Sequence, residues 1–382
     1  MKTIFRKLLL LIFPFTLSLP LIPLNISSIA LGLFCLGAII NEKPSVKRKV
    51  KDSFLVLFLL FFLSDTLSNL LRLDFNSHFF REIKLSFLIF PIIFIAYSKT
   101  IIENFKPICY SFVFGVLVYV IYSWWFVYDF YYITNRGYRL FSLTDGYIRY
   151  MLYNYLPGAI HHSYIGIYIV FSISLILHDI ITLKKRIIIK SLLLLILFVS
   201  LFFIGSKFSI IMLIFFIFSY LLILKKWIVN FIFIASSLSG LYLIKMWILG
   251  VGLNSSFYSR IEYYKCCIII IKNNFISGVG AGNLSKASSL LCDNDILIPH
   301  NIYLRSFAEN GILGFLILVA ISFYLIKHSL KSKDYLYLNI VLLLILGGLI
   351  EDFIFLQRGV LFFMLFLSLF YVKNKYNTLQ QI

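Results

Sequence analysis

The segment Pro299–Phe315, PHNIYLRSFAENGILGF, places His300, Asn301, Arg305 and Glu309 at the start of an apolar stretch. A neutral imidazole can serve as a general base near neutral pH. A helix start adds a partly positive end that suits an anion. Glu309 follows His300 by nine residues, about half a turn round a helix, so the two need not meet. Further cations stand away from the basic clusters: Arg72, Arg81, Lys84, Arg136, Arg139, Arg149, Lys207, Lys245, Arg260, Lys265, Lys272, Lys286 and Arg358. Lys207 is isolated between two apolar runs, and Arg260 opens a mixed stretch after Ser-Phe-Tyr-Ser. Arginine matches phosphate through its bidentate fork. Cations gathered at one membrane face therefore point to an anionic ligand, with Lys207, Arg260 and Arg305 as candidates. Lys84, Lys265 and Lys272 read instead as interfacial snorkellers. Glu351 and Asp352 are adjacent carboxylates that could counter Arg358 or a neighbouring arginine. His161 and His162 open another apolar helix; adjacent residues point to different sides, so a shared metal is not expected.

The elements that must position these groups are membrane helices. The chain is 61% hydrophobic and only 13% charged, with mean hydropathy +0.96, against roughly 25% charged in soluble domains. A crossing takes about 20 apolar residues. Twelve spans are expected, at 7–24, 26–41, 54–71, 84–97, 108–128, 162–178, 187–204, 208–224, 227–247, 303–326, 335–350 and 359–372. Pro14, Pro20 and Pro23 interrupt the first span and no small-residue cleavage site follows, so it does not read as a signal peptide. With the N-terminus inside, most of the 35 Lys and Arg fall in short cytoplasmic loops. The net charge of +19 is then mainly a topology signal, and nucleic acid is not an expected partner. The fold class is thus an all-α polytopic bundle. A transporter would show symmetric halves and charges near mid-membrane; here the polar residues gather at the expected outer ends.

The outer side carries the longer connections, at about 129–161 and 248–302. In the second, Ile261–Ile271 is expected as a helix along the membrane surface, broken at Asn273 and Asn274, with Gly278, Gly280 and Gly282 in a tight turn. That glycine run lacks the strand–turn–helix context of a nucleotide site. Gly205-Ser206-Lys207 is a second tight outer turn, and Gly311 and Gly314 would permit close helix approach. Cys35 and Cys109 lie in apolar spans, whereas Cys292 could bridge to Cys266 or to Cys267 in an oxidising compartment. No metal-ligand spacing is present.

Taken in order, these pieces resemble the O-antigen ligase superfamily, which also includes O-antigen and exopolysaccharide polymerases. The resemblance rests on His300-Asn301 followed by Gly311-Ile-Leu-Gly314, on HHSYIGIY from His161, and on GSKFSI at 205–210. It rests also on SRIEYYKCCIIIIKNNFISGVGAGN around Arg260 and on EDFIFLQRGVLFF at 351–363. It covers roughly 158–372, including the outer loop 248–302; residues 1–157 match in hydropathy alone, and 373–382 would be a cytoplasmic tail. The resemblance implies a twelve-span enzyme of the bacterial inner membrane with a periplasmic site. Such an enzyme moves a glycan from undecaprenyl diphosphate to a sugar hydroxyl, with neither metal nor nucleotide cofactor. The acceptor is lipid A-core for a ligase or a second lipid-linked glycan for a polymerase. Carried over, Lys207 and Arg260 would bind the diphosphate and His300 would activate the acceptor. Asn301, Glu309, Glu351, Asp352, His161 and His162 would support them. Position 207 departs from the family's usual Arg, supplying charge without the planar fork.

Overall fold

The computed structural model describes residues 2–41, 52–72, 85–133, 156–158, 161–183, 185–223, 254–292 and 299–376. The expected span 227–247 and the cations Arg81, Lys84, Arg136, Arg139, Arg149 and Lys245 lie outside them. The described chain is all-helical. Its elements are α1 (Lys2–Leu17), α2 (Leu24–Asn41), α3 (Ser53–Arg72), α4 (Ser86–Ala96), α5 (Ser98–Glu103), α6 (Phe105–Ile133) and α7 (His162–Leu183). They continue with α8 (Ile187–Ile204), α9 (Lys207–Ile223), α10 (Asn254–Asn273), α11 (Leu284–Cys292), α12 (Ile302–Ser332), α13 (Tyr335–Gly348) and α14 (Gln357–Tyr376).

Seven of these, α2, α3, α6, α7, α8, α12 and α14, are long and apolar enough to cross a membrane by length and composition. This is the pattern of a multi-pass membrane protein. Four expected spans correspond to shorter apolar stretches, at Lys7–Leu17, Ser86–Ala96, Lys207–Ile217 and Tyr335–Gly348. Pro14 lies inside α1 and Pro91 inside α4, and each removes a helix N–H donor.

The chain forms two compact units. The first comprises Met1–Lys49, Ile93–Leu213 and Leu365–Ile382; the second comprises Val50–Ile92 and Ile214–Met364. In the first, α1 packs on α2 and α6, and α7 packs on α6 and α8. Phe112 of α6 stands edge-on to Tyr168, at 5.3 Å, and to Phe366, at 4.9 Å. Gly205 closes α8 in the left-handed conformation (φ 70°), its N–H donating to Leu201 C=O, and α9 begins at Lys207 as expected. Ser206 and Ser209 share a 2.7 Å hydrogen bond against Gly166, where a Cβ would lie 2.2 Å from Ser209 Oγ.

In the second unit α3, α10 and α13 all pack on α12, and α11 packs on α10. Asn301 caps α12, its Oδ1 accepting from the amides of Tyr303 and Leu304, both at 3.0 Å. Such a cap contributes about 1 kcal/mol. Inside α12 the helix breaks at Gly311 (φ 66°, ψ −166°), a backbone state that is essentially restricted to glycine. The break exposes carbonyls that the glycine turn takes up. Val279 N–H donates to Ala308 C=O and Gly280 N–H to Glu309 C=O, both at 2.8 Å, while Ile312 N–H returns a bond to Phe275 C=O. Gly311 thus admits a docked turn, where the sequence had promised only close helix approach. Gly314 lies against Asn310 of its own helix.

The expected helix over Ile261–Ile271 forms as part of α10. It is not merely laid on a surface: Cys266, Cys267, Ile270 and Ile271 are buried in a core with Val279, Leu284 and Ala308. Cys292 pairs with Cys266, tying α11 to α10, and Cys267 remains a buried thiol. Burial, with Asp352 and Glu309 nearby, pushes that thiol's pKa up to about 12, so it is inert as a nucleophile.

Candidate functional site

The site is built on the capped start of α12, the first half of α10 and the loop after α13. His300 immediately precedes the Asn301 cap and holds a positive φ of 48°. This region is sparsely used by non-glycine residues and costs on the order of 1–3 kcal/mol. Asn301 Nδ2 also donates to Leu349 C=O at 3.3 Å, fastening the cap to the end of α13. The cap thereby brings His300 to Glu351.

Glu351 is the hub. Its Oε2 lies 3.1 Å from His300 Nδ1 and its Oε1 lies 3.5 Å from Arg260 Nη2. Arg260 is positioned a second time, its Nη1 donating to Ile350 C=O at 2.9 Å. The Glu351 side chain is 7% exposed, whereas His300 and Arg260 are 25% and 27% exposed. A buried carboxylate therefore backs two groups that face outward. An ionised carboxylate can only accept, so Nδ1 carries the proton in this contact, and in the neutral ring Nε2 is then the nitrogen with the lone pair.

Beneath this layer lies a second set of charges. Arg305 Nε donates to Glu309 Oε1 at 3.0 Å, and Arg305 Nη1 lies 3.4 Å from Asp352 Oδ2. Its guanidinium also stacks over Phe355, 4.6 Å from the ring centre. Arg305, expected among the diphosphate ligands, is thus engaged by two carboxylates and is only 14% exposed. Burial raises the Asp352 carboxyl above the ordinary aspartate value, Arg305 and then His300 pull it back, and Glu351 adds to the rise. Burial likewise raises the Tyr264 phenol, against the pull of Arg260 and a hydrogen bond with Asn301.

The structure therefore brings together Arg260, His300, Asn301, Arg305, Glu309, Glu351 and Asp352. The carboxylates of Glu351 and Asp352 meet Arg260, His300 and Arg305. Lys207, His161 and His162 belong to the other unit. There Lys207 is exposed in the first turn of α9, and the His161 and His162 rings, expected on different sides, instead lie against each other, 4.0 Å between centres and tilted by 38°. His161 Nδ1 accepts from the Ser163 amide, capping α7. Among the described residues no group of three or more His, Cys, Asp and Glu is arranged to hold a metal ion.

Sequence reasoning missed a buried polar cluster in the second unit. Asn310 Nδ2 donates to Asp65 Oδ1, and Ser68 Oγ donates to Asn310 Oδ1 at 3.3 Å. Asn69 Oδ1 lies 2.7 Å from where a Cβ on Gly280 would stand. The signal was present: Asp65, Ser68 and Asn69 interrupt an otherwise apolar span, and an acidic residue inside a span is costly enough to need a named partner. No family model matches this chain, and no curated protein matches it.

Proposed function

We propose that the chain is a glycosyltransferase of the O-antigen ligase type. In this reading it is a twelve-span enzyme of the bacterial inner membrane whose site faces the periplasm. It transfers a glycan from undecaprenyl diphosphate to a sugar hydroxyl, with lipid A-core as acceptor. The observation that carries the reading is the pair of contacts made by Glu351. One carboxylate oxygen fixes the proton on His300 Nδ1, and the other holds Arg260 beside it.

The chemistry follows from that geometry. His300 Nε2 takes the proton from the acceptor hydroxyl, whose oxygen attacks the anomeric carbon. The bond from that carbon to the diphosphate breaks, and undecaprenyl diphosphate leaves. Arg260 faces the negative charge that grows on the leaving oxygens. Asn301 sets the backbone of His300, and Arg305, Glu309 and Asp352 hold the capped end of α12 against the loop 351–356. The role of Lys207 as a diphosphate ligand rests on the resemblance alone.

The test is a reconstituted transfer assay with undecaprenyl-diphosphate glycan. Lipid A-core and a second lipid-linked glycan are offered in separate arms. Dependence on His300 with lipid A-core as acceptor supports the ligase reading, and growth on the lipid carrier assigns the chain to the polymerases. No transfer in either arm overturns it.

A further inference from the structure

A cavity of about 560 Å³ opens at the end of α10 remote from Arg260, lined by Asn273, Asn274, Asn283, Lys286 and Leu290 among others. Its volume falls within the roughly 300–1,000 Å³ typical of small-ligand pockets. We propose that it is a glycan subsite, holding sugar units of the donor chain beyond the one that reacts. The inference rests on the reading above and extends it to a binding surface that the transfer chemistry does not use.

The lining argues for sugar. Three asparagines line the cavity, and a carboxamide oxygen can accept from a sugar hydroxyl while a remaining amide N–H donates to its neighbour. Two of them are fixed in advance: Asn274 Nδ2 donates to Ile270 C=O at 3.1 Å, and Asn283 Nδ2 donates to Val279 C=O at 3.3 Å. Preorganised groups lose little entropy on binding. Leu290, 75% exposed, provides an apolar wall for the C–H face of a ring. Lys286 adds a cation suited to an acidic sugar.

The walls are also held in place. The Cys266–Cys292 bridge ties α11 to α10, and the glycine turn between them is bonded to the broken turn of α12. From Arg260 to Asn273 the helix rises about 20 Å, a distance that a chain of several sugars covers. A donor whose diphosphate sat at Arg260 could therefore reach the cavity only if it carried an extended glycan.

The test uses the reconstituted full-length protein. Undecaprenyl-diphosphate glycans are extracted from the host's own membranes and fractionated by length, with the acceptor held constant. The probe variant is Asn273→Leu with Lys286→Leu, both exposed positions outside the buried core. Wild type should show a KM that falls as the donor lengthens. The variant should lose that gain, with KM for long donors raised about tenfold, the cost of one or two lost hydrogen bonds. Its KM for the shortest donor and its kcat should match wild type. A wild type indifferent to donor length, or a variant whose KM rises equally for all lengths or for none, overturns the subsite while leaving the transfer chemistry standing. A wild type that transfers no donor overturns the transfer reading and the subsite with it.

Discussion

Replacing Glu351 by Gln preserves shape and removes one negative charge, so it isolates what the carboxylate does. In the native site Oε2 faces His300 Nδ1 at 3.1 Å and Oε1 faces Arg260 at 3.5 Å. An amide can satisfy only one of them. If its oxygen faces His300, its NH2 opposes the Arg260 donors. If its NH2 faces His300, Nδ1 must accept, the proton moves to Nε2, and the base is lost. A positioned general base contributes on the order of 10²–10⁴ in rate. We expect kcat to fall at least ~100-fold, which is about 2.7 kcal/mol in the barrier. KM should change by no more than about threefold, because the loss falls on the chemical step. The assay is undecaprenyl diphosphate release from proteoliposomes at saturating donor. Glu351→Asp should recover part of the rate. Combining Glu351→Gln with His300→Ala should cost little more than His300→Ala alone, since the two act as a unit. A Glu351→Gln enzyme within about threefold of wild-type kcat would refute the argument.

Two other expectations follow from the same unit. Gly311→Ala forces a side chain into a left-handed, extended backbone state and sets its Cβ 2.0 Å from Ile276 C=O. The variant should lose on the order of 1–3 kcal/mol of stability, and thermal unfolding in detergent should show it as a clear drop in midpoint, whereas an unchanged midpoint would mean that the turn is not docked there. Asp352 has a carboxyl raised above 3.8, so between that value and its raised folded value the folded chain holds more protons than the unfolded one. The stability it contributes is present below 3.8 and is lost as pH rises through the folded value. Asp352→Asn should flatten that decline in melting midpoint across the acidic range, and parallel pH profiles for the two proteins would contradict it.

Much of this was legible in the residues. Hydropathy marked the helices, because apolar length is the dominant requirement for crossing a bilayer. Lys207 falls at a helix start after Gly205, as the isolated cation between two apolar runs required. The helix start at His300-Asn301 could be read from polar residues standing before an apolar stretch, although the capping role of Asn301 came only with the structure. What could not be read is pairing across long separations. Glu351 lies 51 residues from His300, and nothing local indicates that the end of α13 returns to the start of α12. For the same reason Arg305 looked available for phosphate, although Glu309 four residues on was a visible partner. The choice between Cys266 and Cys267 was likewise open, since adjacent helical residues face different sides and only the position of α11 decides. Gly311 read as a packing residue because its broken backbone depends on a turn more than 30 residues earlier.

The measurement that bears most directly on the central claim is single-turnover transfer by wild type and by His300→Ala in proteoliposomes. The donor is undecaprenyl-diphosphate glycan and the acceptor is lipid A-core. Wild type should form the glycan–lipid A-core product and release undecaprenyl diphosphate in equal amount. His300→Ala should bind donor normally while forming product at least ~100-fold more slowly. Equal rates for the two proteins would contradict the general-base role, and His300 would then be a residue held at a helix start by Glu351 with no part in the chemistry.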